Sequence, residues 1–271
     1  MTTWARERDV AVESARAAGA IIRGYYEKPV IEKKDKGGAR DENWLTQADE
    51  ESDALLKERL LTAFPDYGWL SEETKDSPDR LQRRRVWIVD PLDGTREFTL
   101  RVPEFCVCVA LVEDGKPVVA VEYNPATDQM FAAARGAGTT LNGAPARVST
   151  QARVADAVVL ASRSEDKRGE WDPFKGRCKV VLTGSVAFKL AELSRGAGDS
   201  TFTLTPKNEW DICAGSLLVE EAGGKVTGLQ GEPLVFNQPS PLRPGMIASN
   251  GVLHDGLLAM IREVGPQPKG R

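Results

Sequence analysis

Apolar or small side chains recur at Trp4, Ala11, Ala15, Ala18, Ile22 and Tyr25 and stop short of Pro29. That spacing is close to the helical repeat, so the chain is expected to open on an amphipathic helix. The polar, glycine-bearing stretch KKDKGGARDEN then interrupts the pattern, and residues 32–43 read as a mobile loop. Beyond it, LTQADEESDALLKERLLTAF places Thr46 as the cap of a second helix whose buried side carries Leu55, Leu56 and Leu60. The period then shortens to that of strands in YGWLSEE, RRVWIVD and CVCVALVEDGKPVVAVEYN. The last of these is a hairpin turning at Asp114-Gly115, and Asn142-Gly143 marks another turn. The first half is thus helices followed by a mainly antiparallel sheet.

After about residue 150 strands and helices alternate: DAVVLASRS, helix SVAFKLAELSRG, strand STFTLT, helix WDICAGSLLVEEAGG, strand pieces to about Phe236, GMIASN, and a final helix GVLHDGLLAMIREV. The change of pattern between Ser149 and Ala155 suggests an N-terminal lobe, 1–150, and a C-terminal lobe, 151–271, sharing a cleft. No internal repeat or low-complexity linker interrupts them.

Length and composition fit this layout, since 271 residues with 41% hydrophobic content can bury a sizeable core. The net charge of −4 provides no basic field for a nucleic acid polymer, and Arg83 to Arg85 read as a solvated loop edge. No apolar run approaches the roughly 18 residues of a membrane span, and charges stand early in MTTWARERDVAV, so a cytoplasmic protein without stable membrane insertion is expected. Cys106, Cys108, Cys178 and Cys213 include no CxxC pair, and His254 is the single histidine, which disfavours a zinc site. Cys106 and Cys108 point to one strand face and read as reduced, buried thiols. His254 reads as a surface or packing residue.

The stretch VWIVDPLDGTREF carries the chemistry. A strand this apolar is buried on both faces, and its end is where a layered sheet opens into a crevice. Asp90 and Asp93 sit there, held apart by Pro91, which withholds an N–H and leaves the Leu92 carbonyl available. Two such anions repel unless a cation or proton lies between them, and hard oxygen ligands suit Mg²⁺ or Mn²⁺. Singly, Asp90 and Asp93 could be turn residues and Asp211 a helix N-cap. Glu72 at the end of GWLSEE and Asp211 in WDICAG make three acidic element ends that could meet in one cleft.

These residues resemble the inositol monophosphatase superfamily of lithium-sensitive, magnesium-dependent phosphomonoesterases. WIVDPLDGTREF is similar to its first motif and EWDICAGSLLVEEAGG to its second, while LSEE stands where the family has glycine-glutamate-glutamate, Ser71 departing from the glycine. The resemblance covers essentially the whole chain. It implies an α/β (α+β layered) αβαβα sandwich of the inositol monophosphatase and fructose-bisphosphatase type. It also implies metal ligands at Glu72, Asp90, the Leu92 carbonyl, Asp93 and Asp211, holding on the order of two or three Mg²⁺ ions. Asp49 and Thr95, alongside Glu72, are implied to orient the attacking water. Asp49 equally fits a capping box with Thr46, and both roles are compatible. In the expected in-line displacement, backbone N–H groups of Gly94 and Thr95 at a helix start receive phosphate oxygens. A scaffold protein that had lost the chemistry would have replaced one of these acids; none is replaced.

Inositol phosphatases of the superfamily carry a further acid about seven residues before the Trp-Asp pair, a position held here by Leu204. Lys207, one turn ahead of Asp211, suits a second phosphate better than a neutral polyol. Ser185 at a helix start and Lys189 one turn in read as an anion-binding arrangement, although Lys189 also fits a solvated helix lysine. ASRSE, PKNEWD and GEPLVFNQPSPLRPG resemble the CysQ branch, the 3′(2′),5′-bisphosphate nucleotidases that convert 3′-phosphoadenosine 5′-phosphate, a by-product of sulfate assimilation, to AMP. That small nucleotide bisphosphate is the expected substrate, with inositol 1-phosphate or another sugar-alcohol phosphate as the alternative, and homodimerisation is left open.

Overall fold

The computed structural model describes residues 3–35 and 44–264. Helices α1 (Ala5–Tyr26) and α2 (Gln47–Ala63) form where the apolar spacing puts them, and α2 starts at a Thr46 cap. Between them, β1 (Lys33–Asp35) pairs antiparallel with β2 (Trp44–Thr46). The expected loop at 32–43 therefore begins as strand, with the Lys33 ammonium over the Trp44 ring; residues 36–43 lie outside the described residues.

A seven-stranded sheet follows, built in chain order from β3 (Gly68–Ser71), β4 (Arg85–Asp93), β5 (Cys106–Glu113), β6 (Lys116–Asn124), β7 (Gln129–Ala134), β8 (Thr139–Leu141) and β9 (Ala144–Ala146), with α3 (Thr95–Thr99) between β4 and β5. Only β3 and β4 run parallel; the other neighbours are antiparallel. Both predicted turns have positive φ at both central residues, 49° and 79° at Asp114-Gly115 and 50° and 82° at Asn142-Gly143. This left-handed pair matches the twist of the flanking strands.

The second half supplies β10 (Val158–Ala161), α4 (Arg163–Lys167), β11 (Lys179–Leu182), α5 (Val186–Ser194), β12 (Ser200–Thr203), β13 (Lys207–Asn208), α6 (Glu209–Glu221), β14 (Lys225–Thr227), β15 (Leu242–Arg243), β16 (Met246–Ser249) and α7 (His254–Val264). Five of its strands form a mixed sheet in the order β11-β10-β12-β16-β14. The strand pieces expected up to Phe236 shrink to β14. The following segment holds Pro233, Pro239 and Pro241, which cannot donate to a ladder, and it is tied down by side chains instead. Glu209 accepts from the N–H groups of Asn237 (2.6 Å) and Gln238 (3.0 Å), and Arg80 donates to Asn237 Oδ1 (2.7 Å) and the Gln238 carbonyl (3.0 Å).

Three apolar layers glue five structural ones. Ala15, Ile22, Leu56 and Leu60 of α1 and α2 pack on Trp87, Val109 and Val121 on one face of the large sheet. Its other face, with Ile88, Ala110 and Phe131, meets Leu190, Ile212 and Leu217 of α5 and α6, which also touch Met246 and Ala248 of the second sheet. The far face of that sheet, with Val159, Phe202 and Ile247, is covered by Leu257 and Ile261 of α7. The order is helix, sheet, helix, sheet, helix, the αβαβα sandwich that the family resemblance implies.

Candidate active site

Strand β4 does not end at Asp90 but runs on through Asp93. Asp90 lies opposite Cys108 and Asp93 opposite Cys106, so three steps of β4 face two of β5 and a bulge results. Pro91, lacking an N–H, sits in that bulge, where no ladder bond is forfeited. The bulge aims both acids at the sheet's end. Asp90 is 1% exposed; its Oδ1 accepts from the Leu92 N–H at 2.9 Å, while its Oδ2 is buried without a partner among the described residues.

Three of the four expected acids gather here. Carboxylate oxygens of Glu72, Asp90 and Asp211 all lie within 4.8 Å of one another. Glu72 arrives because β3 runs parallel to β4 and its own N–H extends the ladder to the Val89 carbonyl at 3.3 Å. Asp211 arrives on the first turn of α6. It is not the helix N-cap: Asn208 caps α6, and Asp211 Oδ2 accepts from the Asn208 N–H at 3.0 Å in a capping box. Burial, then the charges of Glu72, Asp93 and Asp211, push the Asp90 carboxyl well above the usual range. Asp93 and Asp211 are raised as well, burial again being the first cause. A divalent cation would resolve this repulsion and give Asp90 Oδ2 a partner, so the donor set fits a hard metal ion.

Asp93 is held from a different direction. Its Oδ2 accepts from the Ser185 hydroxyl and, at 2.7 Å, from the Ala187 N–H. The anion at the start of α5 is thus one of the protein's own carboxylates, and the Ser185 hydroxyl, expected to receive a substrate phosphate, is committed to it. Ser185 adopts φ 54°, the left-handed side where non-glycine residues are strained.

Thr95 opens α3, capped by Gly94 at φ 93°. A Cβ at Gly94 would stand 2.9 Å from the Glu104 carbonyl, so both conformation and space demand glycine there. The Thr95 hydroxyl lies 3.0 Å from Asp49 Oδ1 and 3.1 Å from the Leu92 carbonyl oxygen. Asp49 Oδ2 accepts from the N–H of Thr46 at 2.8 Å and from its hydroxyl at 2.5 Å. Asp49 is therefore at once the capping residue and the neighbour of Thr95.

Both lysines are buried rather than solvated. Lys207 is 8% exposed and pairs with Glu165 at 3.1 Å. Burial alone would raise the Glu165 carboxyl, yet the charges of Lys207 and Lys189 outweigh it and hold it at about 2. Lys189 is not a solvated helix lysine: it is 3% exposed, has no hydrogen bond or ion pair among the described residues, and is pulled to about 8, chiefly by burial. Leu204, at the position of the family's extra acid, packs against the apolar layer under α7. His254 is fully buried, and all four cysteines are free and buried, Cys106 and Cys108 with sulfurs 3.6 Å apart.

Three acids escaped the sequence reading. Glu165 stands in ASRSE, but no local signal pairs it with Lys207. Asp53 binds the hydroxyls of Ser71 and Thr74. Glu122 lies opposite Cys108, itself opposite Asp90, with both carboxyl oxygens buried and without a partner among the described residues, and burial raises it well above the usual range. Such a group is kept neutral by its surroundings.

The model of the inositol monophosphatase family matches residues 4–265. The chain belongs to the inositol monophosphatase family. "Inositol monophosphatase 2" of Solanum lycopersicum is 36% identical over 231 residues, 80% of this chain and 85% of that protein. "Inositol-1-monophosphatase" of Rhizobium meliloti is 32% identical over 269 residues, 96% of each. Among solved structures, an inositol monophosphatase from Anabaena (Nostoc) sp. PCC 7120 superimposes with a TM-score of 0.80 at 30% identity, covering 98% of both chains. The inositol monophosphatase fold therefore spans this chain nearly end to end, and the chain is a phosphatase of that family. These relatives are named for inositol phosphates rather than nucleotide bisphosphates.

Proposed function

We propose that the protein is a magnesium-dependent phosphomonoesterase acting on inositol 1-phosphate or a closely related sugar-alcohol phosphate. The observation that carries this reading is the convergence of carboxylate oxygens of Glu72, Asp90 and Asp211 within 4.8 Å of one another, beside a buried Asp90 oxygen that lacks a partner among the described residues. In this reading Glu72, Asp90, Asp93, Asp211 and the Leu92 carbonyl hold on the order of two or three Mg²⁺ ions, which neutralise phosphate charge and acidify water when bound. The chain's own groups do the remainder. The Thr95 hydroxyl, between Asp49 and the Leu92 carbonyl, orients the attacking water and passes its proton toward Asp49. N–H groups of Gly94 and Thr95 receive phosphate oxygens. Asp93, fixed by Ser185 and Ala187, keeps one oxygen for a metal. A cytoplasmic location belongs to the same reading; no helix among the described residues is long and apolar enough to cross a membrane.

A second reading, the 3′(2′),5′-bisphosphate nucleotidase, draws on Lys189, a buried lysine that makes no hydrogen bond or close ion pair among the described residues, and on Leu204 in place of the family's extra acid. Lys207 supports it less, because Glu165 already neutralises it. Phosphate release from inositol 1-phosphate and from 3′-phosphoadenosine 5′-phosphate, each with Mg²⁺ and with chelator, decides between the two. Faster turnover of inositol 1-phosphate is expected, a reversed order favours the nucleotide, and no release from either overturns both.

A further inference from the structure

Asp49 and Asp53 stand one turn apart on α2, and both carboxylates are buried, Asp53 being 6% exposed. Asp49 serves the cap and Thr95. Asp53 faces the other half of the site: its Oδ1 accepts from the Ser71 hydroxyl and its Oδ2 from the Thr74 hydroxyl at 2.5 Å. Ser71 is the last residue of β3, and Thr74 lies in the irregular segment after it. Between them in the chain are Glu72 and Glu73. A single carboxylate thus holds the side-chain hydroxyls on both sides of the pair that contains the Glu72 ligand.

Burying a carboxylate is costly unless it is hydrogen-bonded, and the donors that Asp53 finds are the hydroxyls of Ser71 and Thr74. The bond to Ser71 alone would tie β3 to α2. The bond to Thr74 does something else, because it closes the bend that leaves the sheet and thereby fixes how Glu72 enters the acidic cluster. Ser71 also replaces the glycine of the family motif, and a glycine has no hydroxyl with which to make this contact. A bend fixed by these two hydrogen bonds has less ordering left to pay when an ion binds.

We infer that Asp53, with Ser71 and Thr74, is a positioning residue for the Glu72 carboxylate and sets the affinity of the metal site. This inference rests on the reading of that site as a metal centre. Outer residues that orient metal ligands are worth about 10–100-fold in metal affinity or activity when removed.

The test is calorimetric titration of MgCl₂ and MnCl₂ into wild type, Asp53→Ala, Thr74→Val and Thr74→Ser, with thermal melts of each metal-free protein. Expected are metal Kd values raised about tenfold or more in Asp53→Ala and Thr74→Val, with Thr74→Ser close to wild type. Saturating Mg²⁺ should recover most of kcat, because the ligands themselves remain. Where Asp53→Ala does not fold, Thr74→Val, at the half-buried end of the clamp, carries the test. A lowered Tm with unchanged metal Kd in these variants overturns the inference and leaves the metal centre standing. Absence of metal binding by wild type overturns both.

Discussion

The Thr95 hydroxyl lies 3.0 Å from Asp49 Oδ1, while the other oxygen of the same carboxylate closes the cap of α2. One side chain thus couples the start of a helix to the residue beside the Leu92 carbonyl. Thr95→Val removes the hydroxyl without touching an acid, so kcat should fall by about 10²–10⁴, the usual worth of positioned proton transfer, while Mg²⁺ affinity holds. Thr95→Ser should keep most of the rate. Thr46→Val should lower stability by about 1 kcal/mol through the lost side-chain cap, with a smaller effect on kcat. Asp49→Ala should suffer both losses, as read by phosphate release and thermal melts.

Asp90→Asn and Asp211→Asn remove charge from a crowded cluster. Each should abolish most turnover and weaken Mg²⁺ binding. Each should also raise the Tm of the metal-free protein near pH 8, because burial and the neighbouring charges already disfavour the ionised acid there. Loss of activity accompanied by a lower metal-free Tm would mean that these acids hold the fold together rather than a cation.

Much of this site was legible because its chemistry is carried by short strings. The apolar run into Asp90-Pro91-Leu92-Asp93, the acid after GWLS and the acid in WDICAG mark element ends, and both Xaa-Gly turns state their backbone geometry directly. What the sequence did not disclose are pairings over distance. Ser185 and Asp93 are 92 positions apart, and which anion fills the start of α5 depends on how that helix lands on β4. Lys207 read as a phosphate ligand because Glu165, far away in sequence on α4, meets it only in the folded chain. The helix caps misled in a smaller way: Asn208 and Asp211 both suit an N-cap, and only the backbone shows that Asn208 takes it.

Metal removal should make stability depend on pH with a definite sign. In the metal-free protein Asp90, Asp93 and Asp211 have folded pKa values above their unfolded ones, so between those values the folded state binds more protons. Their contribution to stability therefore falls as pH rises from about 4. A bound cation cancels this penalty. The Tm gained on adding Mg²⁺ should consequently grow from pH 5 to pH 8 at fixed free metal, and a gain that shrinks with rising pH would contradict the repulsive cluster.

His254 should oppose that trend. Its ring nitrogens lie 2.9 Å from the hydroxyls of Thr227 and Ser249. The Thr227 hydroxyl donates to the Gly228 carbonyl at 2.8 Å, so it accepts from Nε2–H, and Ser249 is left to donate to Nδ1. Protonating Nδ1 breaks that last bond inside a fully buried site. Burial first, and then the Lys225 charge, lower the imidazole to about 4. The unfolded chain takes up this proton near pH 6.5, so between about 6.5 and 4 it binds more protons than the folded state. The stability held by the neutral ring is then complete above pH 6.5 and declines on acidification, by up to about 1.4 kcal/mol per pH unit. Because the chain has only one histidine, an NMR titration of its imidazole is unambiguous. A midpoint near 4 is expected, and one near 6.5 would show that the ring is open to solvent and that the Ser249 and Thr227 contacts do not hold it neutral.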